Sequence, residues 1–240
     1  MTATVVLVPG SFHAADCYDE LVAELTRREV PVVAVDHPGH GMSTEPHADL
    51  YGDAESVRRD LDNIDGPIVL LGHSYGGSII TIAGDHPNVR HLVYLAAMMP
   101  DIGESVFSLH EHMEEVVGPP ETERVDAGLV TMVDGTIGEF APEVGYRHFY
   151  EDCPPEVQES AVARLCRQNL ASMSQPTTVA AWHTIPSTYV VSAKDRAIPP
   201  SWERWMALRA HEVLELDSSH SAFLSMPDKV ADILEGIARR

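Results

Sequence analysis

The stretch from Ile68 to Ala83 constrains the fold more than any other part of the chain. The apolar run Ile68–Leu71 is typical of a buried strand and leads directly into Gly72-His73-Ser74-Tyr75-Gly76, after which small and apolar residues typical of a helix continue. A strand that turns this sharply into a helix strains the serine at the tip and brings the two glycine positions close together, where the absence of Cβ is an advantage. The pattern predicts a strand–turn–helix unit that exposes the Ser74 hydroxyl above the end of the strand.

Similar apolar runs alternate with helical patterns along much of the chain. We expect the other strands at Thr4–Pro9, Val32–Asp36, His91–Ala97, Ser187–Ser192 and His211–Leu216, and helices at about 15–28, 53–63, 74–84, 200–209 and 227–239. Strands that alternate with helices pair in parallel through right-handed crossovers. The pattern therefore predicts an α/β doubly wound fold with a mainly parallel, six-stranded sheet.

The alternation stops at about Pro100. Residues 103–183 contain proline, glycine and charge clusters and helical stretches such as Pro155–Gln168, with no clear strand of the buried type. We predict that residues 1–102 and 184–240 form the core domain and that residues 103–183 form an inserted, mostly helical cap. The apolar residues of the cap either pack into a small core of their own or line a substrate pocket against the sheet. They include Val106, Phe107, Leu109, Met113, Val116, Phe140, Phe149, Leu165, Leu170 and Trp182.

Charge and composition exclude several classes of partner. The formal net charge of −21 disfavours binding to nucleic acid and to anionic membrane surfaces. No apolar run approaches the roughly 18 residues that a membrane span needs, and Met1-Thr2-Ala3-Thr4 lacks the basic region of a signal peptide. The three scattered cysteines suit a reducing compartment. We expect a cytoplasmic protein with no nucleic-acid or membrane partner, and the sequence leaves open whether it forms a homodimer.

Three polar residues follow the ends of predicted strands. Ser74 follows the third strand, Asp195 the fifth and His220 the sixth. Ligands bind at the carboxyl ends of the strands in an open parallel sheet. A serine hydroxyl needs a base to remove its proton, and an imidazole with an ordinary pKa of about 6.5 can do so while a carboxylate holds its tautomer. The positions predict Ser74 as nucleophile, His220 as base and Asp195 as the acid that orients it.

Backbone N–H groups near Ser74 are candidates for an oxyanion hole. The N–H of Tyr75 lies at the first turn of the predicted helix, where the helix dipole is positive. A second donor is expected in the loop after the first strand, at Ser11 or Phe12, because Gly10 allows that backbone to approach closely.

Other histidines in the chain have simpler explanations. We expect His73 to point away from the mouth of the site, and His37 and His40 to make local hydrogen bonds. Neither His37 with His40 nor His110 with His112 has a third ligand at a recognisable spacing. We therefore predict neither a metal nor a cofactor.

Four segments of the chain resemble the α/β-hydrolase superfamily. They are Val6–Tyr18, Asp36–Ser43, Gly72–Gly77 and Tyr189–Asp195. Within the superfamily the chain is similar to small bacterial esterases related to plant methyl esterases and hydroxynitrile lyases, and the order serine, aspartate, histidine matches.

Some relatives keep the acid after the fourth strand, where this chain has Asp101. A further acid, Asp217, lies so near the end of the sixth strand that it should not reach round to His220.

The resemblance implies a serine hydrolase that cleaves small, mostly uncharged carboxylic esters through an acyl-enzyme. The lyases of this group carry a threonine where Gly10 stands and a lysine where Ser221 stands, which favours hydrolysis here. Two alternatives stay open. One is a lyase or cyclase that uses His220 as a plain base, and the other is a ligand-binding protein that has lost turnover.

Overall fold

A computed structural model describes residues 1–121 and 130–240. Its main sheet has six parallel strands in the order β2-β1-β3-β4-β8-β9. These strands are β1 (Thr4–Val8), β2 (Val32–Ala34), β3 (Ile68–Ser74), β4 (Val89–Ala97), β8 (Ser187–Ser192) and β9 (Glu212–Leu216). The predicted fold class is therefore confirmed, and the strand ends differ from the predicted ends by a few residues.

The inner strands β1, β3, β4 and β8 are largely buried on both faces, because their side chains point alternately to two cores. In β1, Val6 and Val8 lie in one core, whereas Val5 and Leu7 lie in the other. Helices α2 (Leu50–Asp62), α3 (Gly76–Ala83) and α7 (Pro200–Ala207) contribute to the first core. Helices α1 (Asp19–Arg27), α8 (Ala222–Ser225) and α9 (Pro227–Ala238) contribute to the second. Side chains that alternate between two covered faces explain why the inner strands are mainly apolar, whereas the edge strand β9 is partly exposed and carries Glu212 and Glu215.

Residues 103–183 are inserted between β4 and β8. Their helices are α4 (Val106–Val116), α5 (Pro142–Val144), which continues into a π-helix (Gly145–Phe149), and α6 (Pro155–Ala163). Short 3₁₀ helices lie at Leu170–Met173 and Ala181–His183. The strands β5 (Val130–Asp134), β6 (Ile137–Phe140) and β7 (Gln168–Asn169) form a separate antiparallel sheet in the order β5-β6-β7.

The insertion is thus less helical than predicted, for two local reasons. Gly135 adopts a left-handed φ of 54°, which closes a tight hairpin between β5 and β6 after Asp134. The helix predicted at Pro155–Gln168 ends at Ala163. Beyond it the Cys166 N–H donates to the Phe12 carbonyl oxygen at 2.9 Å, so the chain leaves the helix and pairs with the loop after β1.

Within the described parts of the chain, no helix has the length and apolar character that crossing a membrane requires.

The junction between α3 and the end of β4 is packed backbone against backbone. A Cβ added at Gly77 would lie 2.0 Å from the Met98 carbonyl oxygen and 2.9 Å from the Ala97 Cβ. Neither neighbour is the end of a flexible side chain, so the contact cannot be relieved without moving the strand.

We expect Gly77→Ala to lower the free energy of unfolding by about 3 kcal/mol, because a methyl group there overpacks the core. Gly236→Ala is the matched control: that glycine is exposed in α9 with nothing within 4 Å of an added Cβ. The control should gain roughly 0.5 to 1 kcal/mol from helix propensity. Urea unfolding of both variants checks this, and equal effects would show that Gly77 is not tightly enclosed.

Asp53 is a carboxylic acid buried between α2 and α3. Its Oδ2 accepts a hydrogen bond from the Tyr75 hydroxyl at 2.8 Å, and its Oδ1 has no hydrogen-bond partner among the described residues. Burial raises the pKa of Asp53 to about 6, against the opposing effects of the Tyr75 hydrogen bond and nearby His40. Because the folded protein holds this proton more tightly than the unfolded chain, the free energy of unfolding falls as pH rises from about 4 to 6.

Asp53→Asn keeps an oxygen acceptor for Tyr75 and removes the charge. The free energy of unfolding of the variant, relative to that of the unchanged protein, should rise by about 2 kcal/mol as the pH is raised from 4.5 to 7.5. Urea unfolding at these two pH values measures the gain, with Asp65→Asn at an exposed position as control. A gain that is the same at both pH values would contradict the assigned burial cost.

Candidate active site

Ser74 stands at the turn between β3 and α3, as the sequence predicts. Its φ of 53° lies in the left-handed region, a strained conformation for a residue with a side chain. The strain is maintained by close backbone contacts: a Cβ at Gly72 would lie 2.5 Å from the Gly76 carbonyl oxygen, and one at Gly76 would lie 2.6 Å from the Val8 carbonyl oxygen. These glycines therefore permit the turn that presents the serine.

Asp195 and His220 meet at the carboxyl ends of β8 and β9. The His220 Nδ1–H donates to Asp195 Oδ2 at 2.6 Å, and both side chains are almost completely buried. Asp195 Oδ1 accepts the backbone N–H groups of Ala197 and Ile198 at 2.6 and 2.9 Å. Three donors thus hold the carboxylate in place, and the imidazole is fixed with Nδ1 toward the acid and Nε2 away from it.

The segment that carries Ser74 is joined directly to the segment that carries His220. His73 Nε2–H donates to the His220 carbonyl oxygen at 3.0 Å, and the two rings are 4.5 Å apart. His73 is completely buried against His220, so its ring does not line the mouth of the site. Burial and the neighbouring His220 and His13 hold the pKa of His73 well below its usual value.

The other two candidate acids lie elsewhere. Asp101 Oδ1 lies 3.0 Å from His183 Nε2, and the Asp101 side chain is 41% exposed. Asp217 pairs with Lys194 at 2.8 Å, and its side chain is 74% exposed. Of the three acids, Asp195 is the one that contacts His220.

The first loop and the start of α3 place the candidate oxyanion donors beside Ser74. A Cβ at Gly10 would lie 2.8 Å from the Ser74 Cβ, so the loop backbone approaches the serine closely. The Phe12 N–H points to Gln168 Oε1 at 3.4 Å. Ser11, Phe12, Ser74 and Tyr75 all line one cavity. Because Phe12 N–H already faces an acceptor, Ser11 is the more available of the two donors in this loop.

That cavity has a volume of about 440 Å³ and lies between the sheet edge and the insertion. Its walls are mainly apolar, and no Asp, Glu, Lys or Arg of the described residues lines it. The insertion contributes Val106, Phe107, His110, Val130, Met132, Phe140, Phe149, Leu170 and Met173. Leu109 and Met113, in contrast, pack into the main core. Some apolar residues of the insertion therefore line the cavity, as one of the two expectations has it, whereas Leu109 and Met113 join the core of the main sheet instead of a separate core of the insertion.

Buried histidines donate hydrogen bonds to carbonyl groups of the loop after β1. The local sequence does not predict these contacts. His37 Nε2–H donates to the Pro9 carbonyl oxygen at 3.0 Å, so the expectation of a local hydrogen bond was wrong for His37. His40 makes the expected local contact, with Nδ1 3.1 Å from the Pro38 carbonyl oxygen, and its Nε2 also lies 3.2 Å from Gln168 Oε1 in the insertion. His13 Nδ1–H donates to the Ser11 carbonyl oxygen at 2.7 Å. Burial lowers the pKa of His13, His37 and His40 to about 4 each, so they are uncharged at neutral pH.

The insertion also supplies polar contacts that sequence reasoning missed. Asp152 accepts hydrogen bonds from both the backbone N–H and the hydroxyl of Ser219, the residue before His220. His148 Nδ1–H donates to the Arg196 carbonyl oxygen at 3.1 Å, beside Asp195. No local pattern marks these residues, because their partners are 48 or more positions away along the chain.

Comparison with known proteins agrees with this architecture. α-Hydroxynitrile lyase and methylesterase 7, both from Arabidopsis thaliana, are each 27% identical to the chain; the alignments cover 97% of it and 96% and 95% of those proteins. The crystal structure of a pyrethroid hydrolase from Sphingobium faniae JZ-2 matches with a TM-score of 0.82 and 26% identity, over 100% of this chain and 98% of that one.

The resemblance to esterases and hydroxynitrile lyases is therefore confirmed. A family model described as alpha/beta hydrolase family matches residues 5–233, nearly the whole chain. The protein belongs to the alpha/beta hydrolase family.

Proposed function

We propose that the protein is a serine esterase that cleaves small, mostly uncharged carboxylic esters through an acyl-enzyme on Ser74. The observation that carries this proposal is the buried Asp195–His220 pair, which contacts His73 directly before a strained serine at the edge of an apolar cavity. Residues 103–183 would act as the cap over this cavity. The reaction needs no cofactor.

The first half of the reaction acylates the enzyme. His220 Nε2 takes the proton of the Ser74 hydroxyl as the oxygen attacks the ester carbonyl carbon. The resulting oxyanion accepts hydrogen bonds from the N–H of Tyr75 and from Ser11 or Phe12. His220 then donates the proton to the leaving alkoxide, which departs as an alcohol and leaves an acyl group on Ser74.

The second half releases the acid. A water molecule gives a proton to His220 and attacks the acyl carbon, and the same N–H groups stabilise the second oxyanion. Collapse returns the proton to Ser74 and frees the carboxylic acid. Asp195 stays ionised throughout, holds the tautomer of His220 and stabilises the imidazolium as it forms.

The cavity supports the proposed substrate class. The described residues of the cavity wall include no Asp, Glu, Lys or Arg, so they supply no permanent charge to offset the desolvation of a charged acyl or alcohol group. Its volume of about 440 Å³ suits a small ligand. The relatives named as an esterase and a pyrethroid hydrolase favour the same kind of reaction.

A second candidate function is a lyase that uses His220 as a plain base, and the relative named α-hydroxynitrile lyase is the observation in its favour. In this chain Gly10 and Ser221 stand where the lyases are expected to carry threonine and lysine. Assays with p-nitrophenyl esters of graded acyl length and with a cyanohydrin separate the two functions. Turnover of the cyanohydrin alone would overturn the esterase proposal.

Replacement of the nucleophile gives the first functional prediction. Ser74→Ala should lower kcat for p-nitrophenyl acetate by several orders of magnitude, because the triad acts as a unit. It should also abolish labelling by a fluorophosphonate, measured as the mass of the intact protein. Ser78→Ala is the control, because Ser78 is a buried serine of α3 that does not line the cavity. This variant should keep both the activity and the labelling. Retention of more than about a tenth of the activity in Ser74→Ala would refute the assignment.

Replacement of Asp195 gives the second functional prediction. Asp195→Asn should lower kcat by roughly 10³- to 10⁴-fold, because an amide does not favour the tautomer that His220 needs. Asp101→Asn removes an exposed partner of His183 and should leave kcat unchanged. Steady-state kinetics of both variants, with circular dichroism to verify folding, provide the test. Loss of turnover in Asp101→Asn but not in Asp195→Asn would place the acid after β4.

A further inference from the structure

Behind Asp195 lies a second acid that the proposed reaction does not use. Glu203 is in the first turn of α7 and is completely buried between that helix and β8. Its Oε2 accepts the Ser192 N–H at 3.1 Å, whereas no N–H or O–H donor among the described residues reaches its Oε1. The Asp195 N–H in turn donates to the Ser192 carbonyl oxygen at 3.1 Å, so both acids are held at Ser192, and their carboxyl groups are close enough to interact. Two buried acids are therefore neighbours, and one of them also holds His220.

Both acids cannot be ionised at low cost. Two carboxylates in contact repel each other, and burial adds the cost of removing each charge from water. One proton placed between them removes the repulsion and turns the contact into a hydrogen bond. The arrangement of the two groups determines which acid holds this proton.

The hydrogen bonds favour ionised Asp195 and neutral Glu203. Asp195 accepts three hydrogen bonds, from the His220 Nδ1–H and two backbone N–H groups, and each of them stabilises a carboxylate. Glu203 accepts one, and its Oε1 has nothing to accept. As an O–H group, Oε1 gains an acceptor in Asp195. Burial, followed by the charge of Asp195, accordingly raises the pKa of Glu203 well above its usual value.

The other groups near Glu203 do not reverse this assignment. Arg204 acts to lower the pKa of Glu203, but its guanidinium points outward and pairs with Glu215 at 2.8 Å, with half of the side chain exposed. The Tyr189 hydroxyl lies near Glu203 and donates its proton to the Ala97 carbonyl oxygen at 2.6 Å. No cation of the described residues neutralises Glu203 in the buried space that it shares with Asp195.

We propose that Glu203 is a positioning residue that stays protonated and donates a hydrogen bond to Asp195, extending the pair Asp195–His220 to a chain of three. This inference rests on the proposed function. The donated bond adds a fourth donor to the three that already hold the Asp195 carboxylate, and the proton on Glu203 keeps a second negative charge away from it. Glu203 touches neither the cavity nor Ser74, so its effect on the reaction passes through Asp195.

Two substitutions separate the hydrogen bond from the charge and from packing. Glu203→Gln keeps an N–H donor for Asp195 and an oxygen for Ser192 N–H, and it cannot ionise. Glu203→Leu has a similar volume and no donor. We expect Glu203→Gln to keep kcat for p-nitrophenyl acetate within about threefold, whereas Glu203→Leu lowers kcat roughly 10- to 100-fold at unchanged KM. A purely structural residue would change unfolding rather than the split between kcat and KM.

The protonation state is measured independently of activity. Infrared spectra of the unchanged protein and of Glu203→Gln at pH 7.5 should differ by the C=O stretching band of a protonated carboxylic acid, present in the former alone. Absence of this band, or a loss of more than tenfold in kcat in Glu203→Gln, would overturn the inference. If Glu203→Leu does not fold, the infrared band and the kcat of Glu203→Gln still test whether Glu203 is protonated and donates to Asp195. If the protein cleaves no ester, the proposed function fails while the band still tests the proton on Glu203.

Discussion

The architecture of the site depends on close contacts between backbones at the end of β3. Gly72, Gly76 and Gly77 face carbonyl groups at distances that no Cβ tolerates, and Gly10 faces the Ser74 side chain. These contacts bring the loop after β1, the turn at Ser74 and the end of β4 within a few ångströms of one another. A serine with a left-handed φ is retained because the tightly packed surroundings leave it no relaxed alternative.

Around this framework the polar groups form successive layers rather than a single cluster. His220 and Asp195 are the inner pair, and the second acid lies behind them at α7. His13 and His37 hold the carbonyl groups of the first loop, so the N–H groups of that loop are oriented as well. The insertion attaches to both sides of the site, through Asp152 beside His220 and through the Cys166 N–H beside Phe12. Movement of the insertion would therefore be coupled to the position of the base and of the first loop.

The sequence predicts the parts of this site that depend on local pattern. The continuous apolar strands, the glycines around Ser74 and the location of Asp195 and His220 after late strands follow from periodicity and from the geometry of parallel sheets. The hairpin closed by Asp134 and Gly135 was within reach, because that dipeptide favours tight turns. The position of Glu203 could not be predicted in this way. In the sequence it is an ordinary acid on an amphipathic helix, and only tertiary packing turns it toward β8. Gln168 and Asp152 were hidden for the same reason, since their partners lie 67 to 156 residues away.

The uncharged histidines beneath the first loop give the fold an acid limit. His13, His37 and His40 hold protons in the folded state only near pH 4, whereas in an unfolded chain they hold them at about pH 6.5. Unfolding in this range therefore takes up protons, and the stability that these three residues contribute is complete above about pH 6.5 and declines toward pH 4. Asp53 opposes this trend by releasing a single proton. Acidification therefore weakens the fold partly through side chains that also hold the loop facing Ser74, so the burial that orients this loop reduces the stability of the protein in acid.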